Sequence, residues 1–292
     1  MIHISENVSP TMKKSVYVAP SDLSQIGIVV KYDFLKYLRS ARLVGMLAIV
    51  TLVLLLLTAL PPLLGNSYAD DANKFINTYA SFASILIIIG ATLFAGDAIV
   101  SEFQNHTGYL LFPKPVKKWV LLAGKFLASM GAMFLVLLFY YGVALLLGLV
   151  ITGSFSVLGV ESLLLAMLYA VAALSVGFLI SSIMKGITGA QILTFALFLF
   201  IFTIVTGVFT LGGVEPWFVV TYSSGTIGYI TQNPYPTGGS DTGVGPGSLA
   251  PGGVATSSYI PDIGVAIAVM AAYTLVSLVL AYYFFSRREM SA

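Results

Sequence analysis

Charge is scarce in this chain. Asp, Glu, Lys and Arg make up 9% of its 292 residues, against roughly a quarter in soluble domains. A chain so poor in charge is not an ordinary globular domain. Cysteine is absent, which excludes disulfides and thiolate metal sites. The two histidines, His3 and His106, lie outside every long apolar run. They cannot build a zinc site of the His-Glu-x-x-His kind or act as base to a serine within such a run. Ser224-Gly225 is therefore only a fragment of a hydrolase motif. Gly243, Gly245 and Gly247 fall in a linker with no strand before them and no helix after. No phosphate-binding loop of the Gly-x-x-x-x-Gly-Lys-Ser/Thr type occurs. Gly124-Lys125 is the nearest fragment, with Trp119 in the first glycine position and Phe126 in the hydroxyl position. No catalytic residue, cofactor site or metal site is expected in this chain, and no nucleic-acid partner. The first twenty residues contain Pro10 and Pro20 and no apolar core, so a cleavable signal peptide is not expected.

Apolar length is what the chain has. Six stretches, 44–60, 82–100, 126–151, 158–183, 189–211 and 263–285, each approach or exceed the roughly 20 residues that span a hydrocarbon core. Backbone groups in lipid must be paired within the segment, so such runs read as helices. Residues 52–57 and 145–149 show no alternation, which argues against a membrane barrel. The expected fold class is all-α: a polytopic membrane protein with six transmembrane helices.

The few charges are sorted by side. Of the 14 Lys and Arg residues, all but Lys74 fall on one side when the six stretches are threaded through a bilayer. Basic residues near spans are retained in the cytoplasm. The reading is a cell-membrane protein with both termini cytoplasmic. Residues 1–42 are expected to form a cytoplasmic N-terminus and 43–292 the six-helix transmembrane domain. Ser21 or Asp22 caps a helix expected to run to about Arg42. Leu23, Ile26, Val30, Phe34, Tyr37, Leu38 and Ala41 form an apolar arc opposite Lys31, Lys36, Arg39 and Arg42. That pattern predicts a basic amphipathic helix lying on membrane lipids. Pro61-Pro62 is expected to end the first span, followed by an outside loop to about Thr78.

Residues 101–119 are expected to form an inside loop. The outside loop 212–261 is long for a connection and contains no Lys or Arg. Its first half, 216–230, suits short helices packed on the outer span ends. Its Gly- and Pro-rich second half suits irregular structure. As a whole it is either an external lid or a solvated linker. Two stripes of small residues, Ala173/Gly177/Ser181 and Gly264/Ala268/Ala272, predict close helix packing, within the chain first and at a subunit interface as the alternative. Apart from Glu161, at the outer end of the fourth stretch, Asp97 is the one Asp, Glu, Lys or Arg inside an apolar stretch. It is either a gate residue or a solvated helix end paired with a loop lysine. Any route through this protein is thus lined by apolar, aromatic and hydroxyl groups.

The segment 96–127 carries the motif. Glu102 ends the second stretch, Thr107-Gly108 and Leu110-Leu111 follow, then Pro113 or Pro115, Lys117-Lys118 and Gly124-Lys125. This order resembles the permease subunits of type-2 ATP-binding-cassette transporters, and looks closest to the multi-copper-enzyme maturation permease branch. Two departures are visible: Thr-Gly stands for the commoner Gly-Thr, and Lys for the usual Arg. The resemblance implies a coupling loop that docks on a separate ATP-binding-cassette ATPase subunit. In it Phe103, Tyr109, Leu110, Leu111 and Phe112 would fill an apolar groove. Glu102, Lys117 and Lys118 would set register and partner choice. It also implies a second permease subunit, identical or related, and ATP and Mg held by the ATPase alone. The function so implied is the membrane-spanning part of an ATP-driven transporter, with export favoured. The alternative is a non-transporting membrane scaffold that anchors an assembly factor for an extracytoplasmic enzyme.

Overall fold

The computed structural model describes residues 21–96, 98–104, 117–236 and 259–288. Among them every regular element is helical. In chain order these are α1 (Asp22–Leu38), α2 (Ala41–Leu63), α3 (Ala72–Phe94), α4 (Val100–Gln104), α5 (Lys118–Thr152), α6 (Val157–Ile183), α7 (Ile187–Leu211, with a π-helical segment Leu197–Ile201), α8 (Val220–Ser223), α9 (Thr226–Tyr229) and α10 (Ile263–Arg287). The 6 helices α2, α3, α5, α6, α7 and α10 are long and apolar enough to cross a membrane. They alternate in direction. One end of the bundle gathers Lys117, Lys118, Lys125, Arg287 and Arg288, and is called the basic end here. The opposite end carries α8, α9 and the turns at 64–71 and 153–156.

Helix α6 is the hub, with 67% of its apolar window buried against 22% for α2 and 11% for α7. It packs against α3, α5 and α10. Gly177 makes the α3 approach possible, because a Cβ there would sit 2.7 Å from Ala95 Cβ. Its stripe partners Ala173 and Ser181 are buried with it. The second stripe behaves differently. Gly264, Ala268 and Ala272 lie on the exposed side of α10, so their expected packing within the chain is not found.

Three expected boundaries move, each for a local reason. Helix α1 stops at Leu38, short of Arg42. Ser40 donates its hydroxyl to Tyr37 O at 2.7 Å and accepts Leu43 N–H at 3.4 Å, closing one helix and capping the next. Helix α2 runs past Pro61-Pro62 to Leu63. The carbonyl of Thr58, which Pro62 cannot engage, accepts instead from Tyr68 OH at 2.7 Å. Helix α3 begins ten residues earlier than its apolar stretch, at Ala72, with the Asp71 carboxylate accepting Asn73 N–H at 2.8 Å. Its polar first half faces a cleft, which is why hydropathy alone misses it.

The apolar arc of α1 is partly realised. Tyr37 is buried and Ile26, Val30 and Phe34 are half-buried, while Leu23 and Leu38 are exposed. The inward face lies along α5 rather than only along lipid. Within 212–236 the chain folds back into α8 and α9, which pack on α3, α6 and α10.

Candidate coupling site and polar cleft

Helix α4 is five residues long, too short to hold its shape alone. Side chains from other elements hold it. Ser181 Oγ on α6 accepts the N–H groups of Ile99 and Val100 at 3.0 and 3.1 Å, satisfying donors that no turn of helix precedes. Gln104 Oε1 accepts Ile187 N–H at 2.7 Å and so supplies the N-terminal cap that α7 lacks in its own sequence. Between them, Glu102 Oε1 accepts from Lys125 Nζ on α5 at 2.7 Å.

Lys125 also stands 3.3 Å from Asp33 Oδ2 of α1. The three side chains are 11% (Lys125), 13% (Glu102) and 21% (Asp33) exposed. An ammonium this shielded is costly to leave without counter-charge, so each carboxylate ties its helix to α5. Gly124 explains how α1 comes so near, since a Cβ there would lie 2.6 Å from Val29 Cγ1. The Gly-Lys pair thus has two jobs: the first residue admits α1 and the second binds it. Tyr37 adds a third tie, donating to Phe94 O at 2.9 Å with its ring edge-on to Phe94.

The neighbouring lysines close the same end. Lys118 Nζ donates to Ser286 O at 2.8 Å and Arg288 O at 3.2 Å, a cation at the C-terminus of α10. Arg288 donates to Ser182 O at 3.4 Å, and burial pushes its guanidinium below its ordinary value. Lys117 pairs with Asp22 at 2.7 Å on an open surface, where such a pair contributes little.

Of the residues the sequence singles out, Glu102 pairs with Lys125, whereas Lys117 engages Asp22 and Lys118 the last carbonyls of α10; Phe103 follows Glu102 on α4. The Glu102 carboxylate is turned inward onto Lys125 rather than presented on an outer face. Thr107, Gly108, Tyr109, Leu110, Leu111, Phe112, Pro113 and Asp97 lie outside the described residues. Sequence reasoning did not select Asp33, Gln104 or Ser181. Asp33 was visible as an acid among the basic residues of α1, whereas Ser181 read only as a small packing residue.

At the opposite end lies a cleft of about 520 Å³ between α3, α7 and α8–α9. Asn77, Ser81 and Ser84 enter from α3, Thr203 and Thr206 from α7, and Tyr222 and Tyr229 from the short helices. Among the described residues no charged side chain lines it. Thr221 Oγ1 is buried at its wall with no hydrogen-bond partner. A second cleft of about 380 Å³ shares Asn77 and Gln232 and adds Asp71 and Lys74. The floor is pinned: Asn77 Nδ2 donates to Gly228 O at 2.9 Å and Ser162 Oγ to Ile227 O at 2.6 Å. Burial raises the Tyr222 and Tyr229 phenols. The hydrogen bond of Tyr222 to Glu215 and that carboxylate's charge raise it further. Nearby Tyr235 is pushed up to about 12, chiefly by burial and then by Asp262. These phenols stay protonated near neutral pH, so they offer hydroxyl groups and no charge.

A braced short helix at one end of a six-span bundle and an uncharged polar cleft at the other define a multi-pass membrane permease. Residues 58–283, well over half the chain, match the family model described as ABC-2 family transporter protein. The chain belongs to that family. Among curated proteins none matches it.

Proposed function

We propose that this permease is the membrane half of an ATP-driven exporter, in which two permease subunits work with two separate ATPase subunits at the cell membrane. The observation that carries the reading is the tethering of α4. It leads directly into the 105–116 segment and is bonded at once to α5, α6 and α7, and through Lys125 of α5 to α1. A push on that segment is therefore delivered to four elements, three of them spanning helices or their extensions. The basic end faces the cytoplasm under this reading, as retention of Lys and Arg requires. ATP and Mg²⁺ are bound by the ATPase partner, and this chain supplies no hydrolytic group. The loop motif, read by itself, favours the multi-copper-enzyme maturation branch.

The polar cleft is the far end of the cargo path. Its hydroxyl and amide lining suits an uncharged polar part of a cargo and gives no counter-charge to an ion. Burying a charge there without a partner would be costly. The cleft's position opposite the proposed ATPase-facing end supports export, since a cargo released from it leaves on the outer side.

The test is reconstitution of the full chain in liposomes with a candidate ATPase, such as one encoded beside it. The complex should hydrolyse ATP and the permease alone should not. Thr206→Leu, which fills the cleft, should lower transport while leaving complex recovery unchanged. ATP turnover by the permease alone, or no recovery of any ATPase with it, would move the assignment to the scaffold alternative.

A further inference from the structure

The recess of about 380 Å³ beside the polar cleft differs from it in carrying charge. Asn77 and Gln232 line both spaces, so the two adjoin. Asp71 is the N-cap of α3 and Lys74 its third residue, positions whose side chains stand side by side. They do not pair with each other. The Asp71 carboxylate accepts Asn73 N–H at 2.8 Å, and Lys74 makes no hydrogen bond or salt bridge to any described residue. Two opposite charges thus line one recess without neutralising each other.

The surroundings disfavour a simple ion. At this end the described residues carry Asp70, Asp71, Glu161, Glu215 and Asp262 against Lys74 alone. That acidic excess repels a bare anion, and Lys74 repels a bare cation from Asp71. A molecule bearing both signs meets neither objection. The amides of Gln232 and Asn233 stand in the same wall, and an amide both donates and accepts, so it serves either half. Side chains on neighbouring helical positions start about 5–6 Å apart. That spacing suits an ammonium and a carboxylate borne on one carbon better than the distant ends of a peptide. The adjoining cleft then takes the rest of the molecule. Its Ser84 and Thr203 hydroxyls and the buried Thr221 Oγ1 have no hydrogen-bond partner among the described residues.

We propose that recess and cleft together bind a free α-amino acid with a polar, uncharged side chain. Lys74 faces its carboxylate, Asp71 faces its ammonium, and the side chain enters the hydroxyl-lined cleft. As the class of the cargo this rests on the transport reading. The binding itself needs no ATPase, so the two can fail separately.

The experiment uses the full chain purified in detergent at low ionic strength. Equilibrium dialysis measures binding of radiolabelled L-glutamine and L-threonine up to tens of millimolar. Two unlabelled competitors each lack one charge: the α-amide of L-glutamine has no carboxylate, and N-acetyl-L-glutamine has no ammonium. Each should compete about tenfold less well than L-glutamine. Lys74→Gln should weaken L-glutamine by a similar factor and leave the α-amide unchanged. Asp71→Asn, which keeps the helix cap, should weaken L-glutamine and leave the N-acetyl form unchanged. Glu161→Gln, at the same end but outside the recess, is the control and should match wild type. Size-exclusion profiles establish that each variant is folded. The proposal is overturned if neither amino acid binds, or if the blocked forms compete as well as L-glutamine. It is also overturned if Glu161→Gln weakens binding as much as Asp71→Asn, since diffuse charge would then hold the ligand. Glycerophosphoethanolamine competing better than L-glutamine would make this a lipid-headgroup site and overturn the amino-acid assignment. Loss of binding in a chain that still couples to an ATPase would remove the amino acid and keep the transport reading.

Discussion

Lys125 donates to Glu102 across 2.7 Å, joining the basic-end segment of the longest helix to the five-residue helix beside it. The pair is shielded and shares its ammonium with Asp33. Under the proposed function it bears on stability and on coupling together, and those two contributions can be separated.

Glu102→Gln leaves Lys125 with Asp33 alone. We expect a loss of about 3 kcal/mol of stability, the usual cost of stripping one partner from a buried pair, and weaker stimulation of the ATPase. Glu102→Leu combined with Lys125→Met and Asp33→Asn should regain most of the stability, since no charge of the trio is then stranded. It should not regain the stimulation. Thermal unfolding and ATP turnover in liposomes read the two effects. Equal recovery of both would mean that the pair serves packing only.

Ser181→Ala removes the acceptor for two backbone donors at the start of α4. A cost of about 1–2 kcal/mol is expected, confined to that turn. Hydrogen exchange should accelerate at the Ile99 and Val100 amides while amides in the middle of α6 stay protected. Unchanged exchange at Ile99 and Val100 would show that α4 is held by other contacts.

Two glycines in the same core should respond differently to alanine. At Gly177 the new methyl meets Ala95 Cβ at 2.7 Å and Ala91 O at 3.4 Å, so whole helices must move. About 2 kcal/mol of destabilisation is expected. At Gly90 the nearest atom is Met133 Sδ, the far end of a side chain that can turn away. Gly90→Ala should therefore shift the melting temperature much less than Gly177→Ala. The reverse order would disprove this account of the α3–α6 contact.

Orientation has its own reporters in the sequence. Asn105-His106-Thr107 and Asn7-Val8-Ser9 are glycosylation acceptors. Expressed in a eukaryotic secretory membrane, neither should carry sugar if the basic end is cytoplasmic. Glycosylation at Asn105 would invert the topology and remove the proposed ATPase contact.

The six spans were legible because apolar length is a one-dimensional property, and no other fold of this chain satisfies so many consecutive lipid-facing backbone groups. Their ends were less legible wherever polarity has a structural partner. Asn73, Asn77, Ser81 and Ser84 look like loop residues in a hydropathy scan. In three dimensions they are the cleft-facing half of α3, and their spacing of four, four and three was the missed helical signal. Pro61-Pro62 looked like a stop because nothing in the local sequence announces that Tyr68 will take the freed carbonyl. The coupling site divided in the same way. Glu102 and the Gly124-Lys125 pair are close enough in sequence to be noticed together. Asp33, 92 residues before Lys125 in the chain, becomes part of the site only through the packing of α1 on α5.

The π-helical segment in α7 sets the angular phase between the two halves of that span. Phe202 N–H donates to Leu197 O, one residue further back than in an α-helix, so the helix accommodates one extra residue within a turn. Each residue of an α-helix advances the direction of its side chains by about 100°. Ala190 and Thr194, before the wide turn, are buried against the bundle, while Thr203 and Thr206, after it, open onto the cleft. Removing a single residue from Leu197–Ile201 would rotate the second half back by that angle and carry both threonines away from the cleft, with every amino acid that lines it still present in the chain.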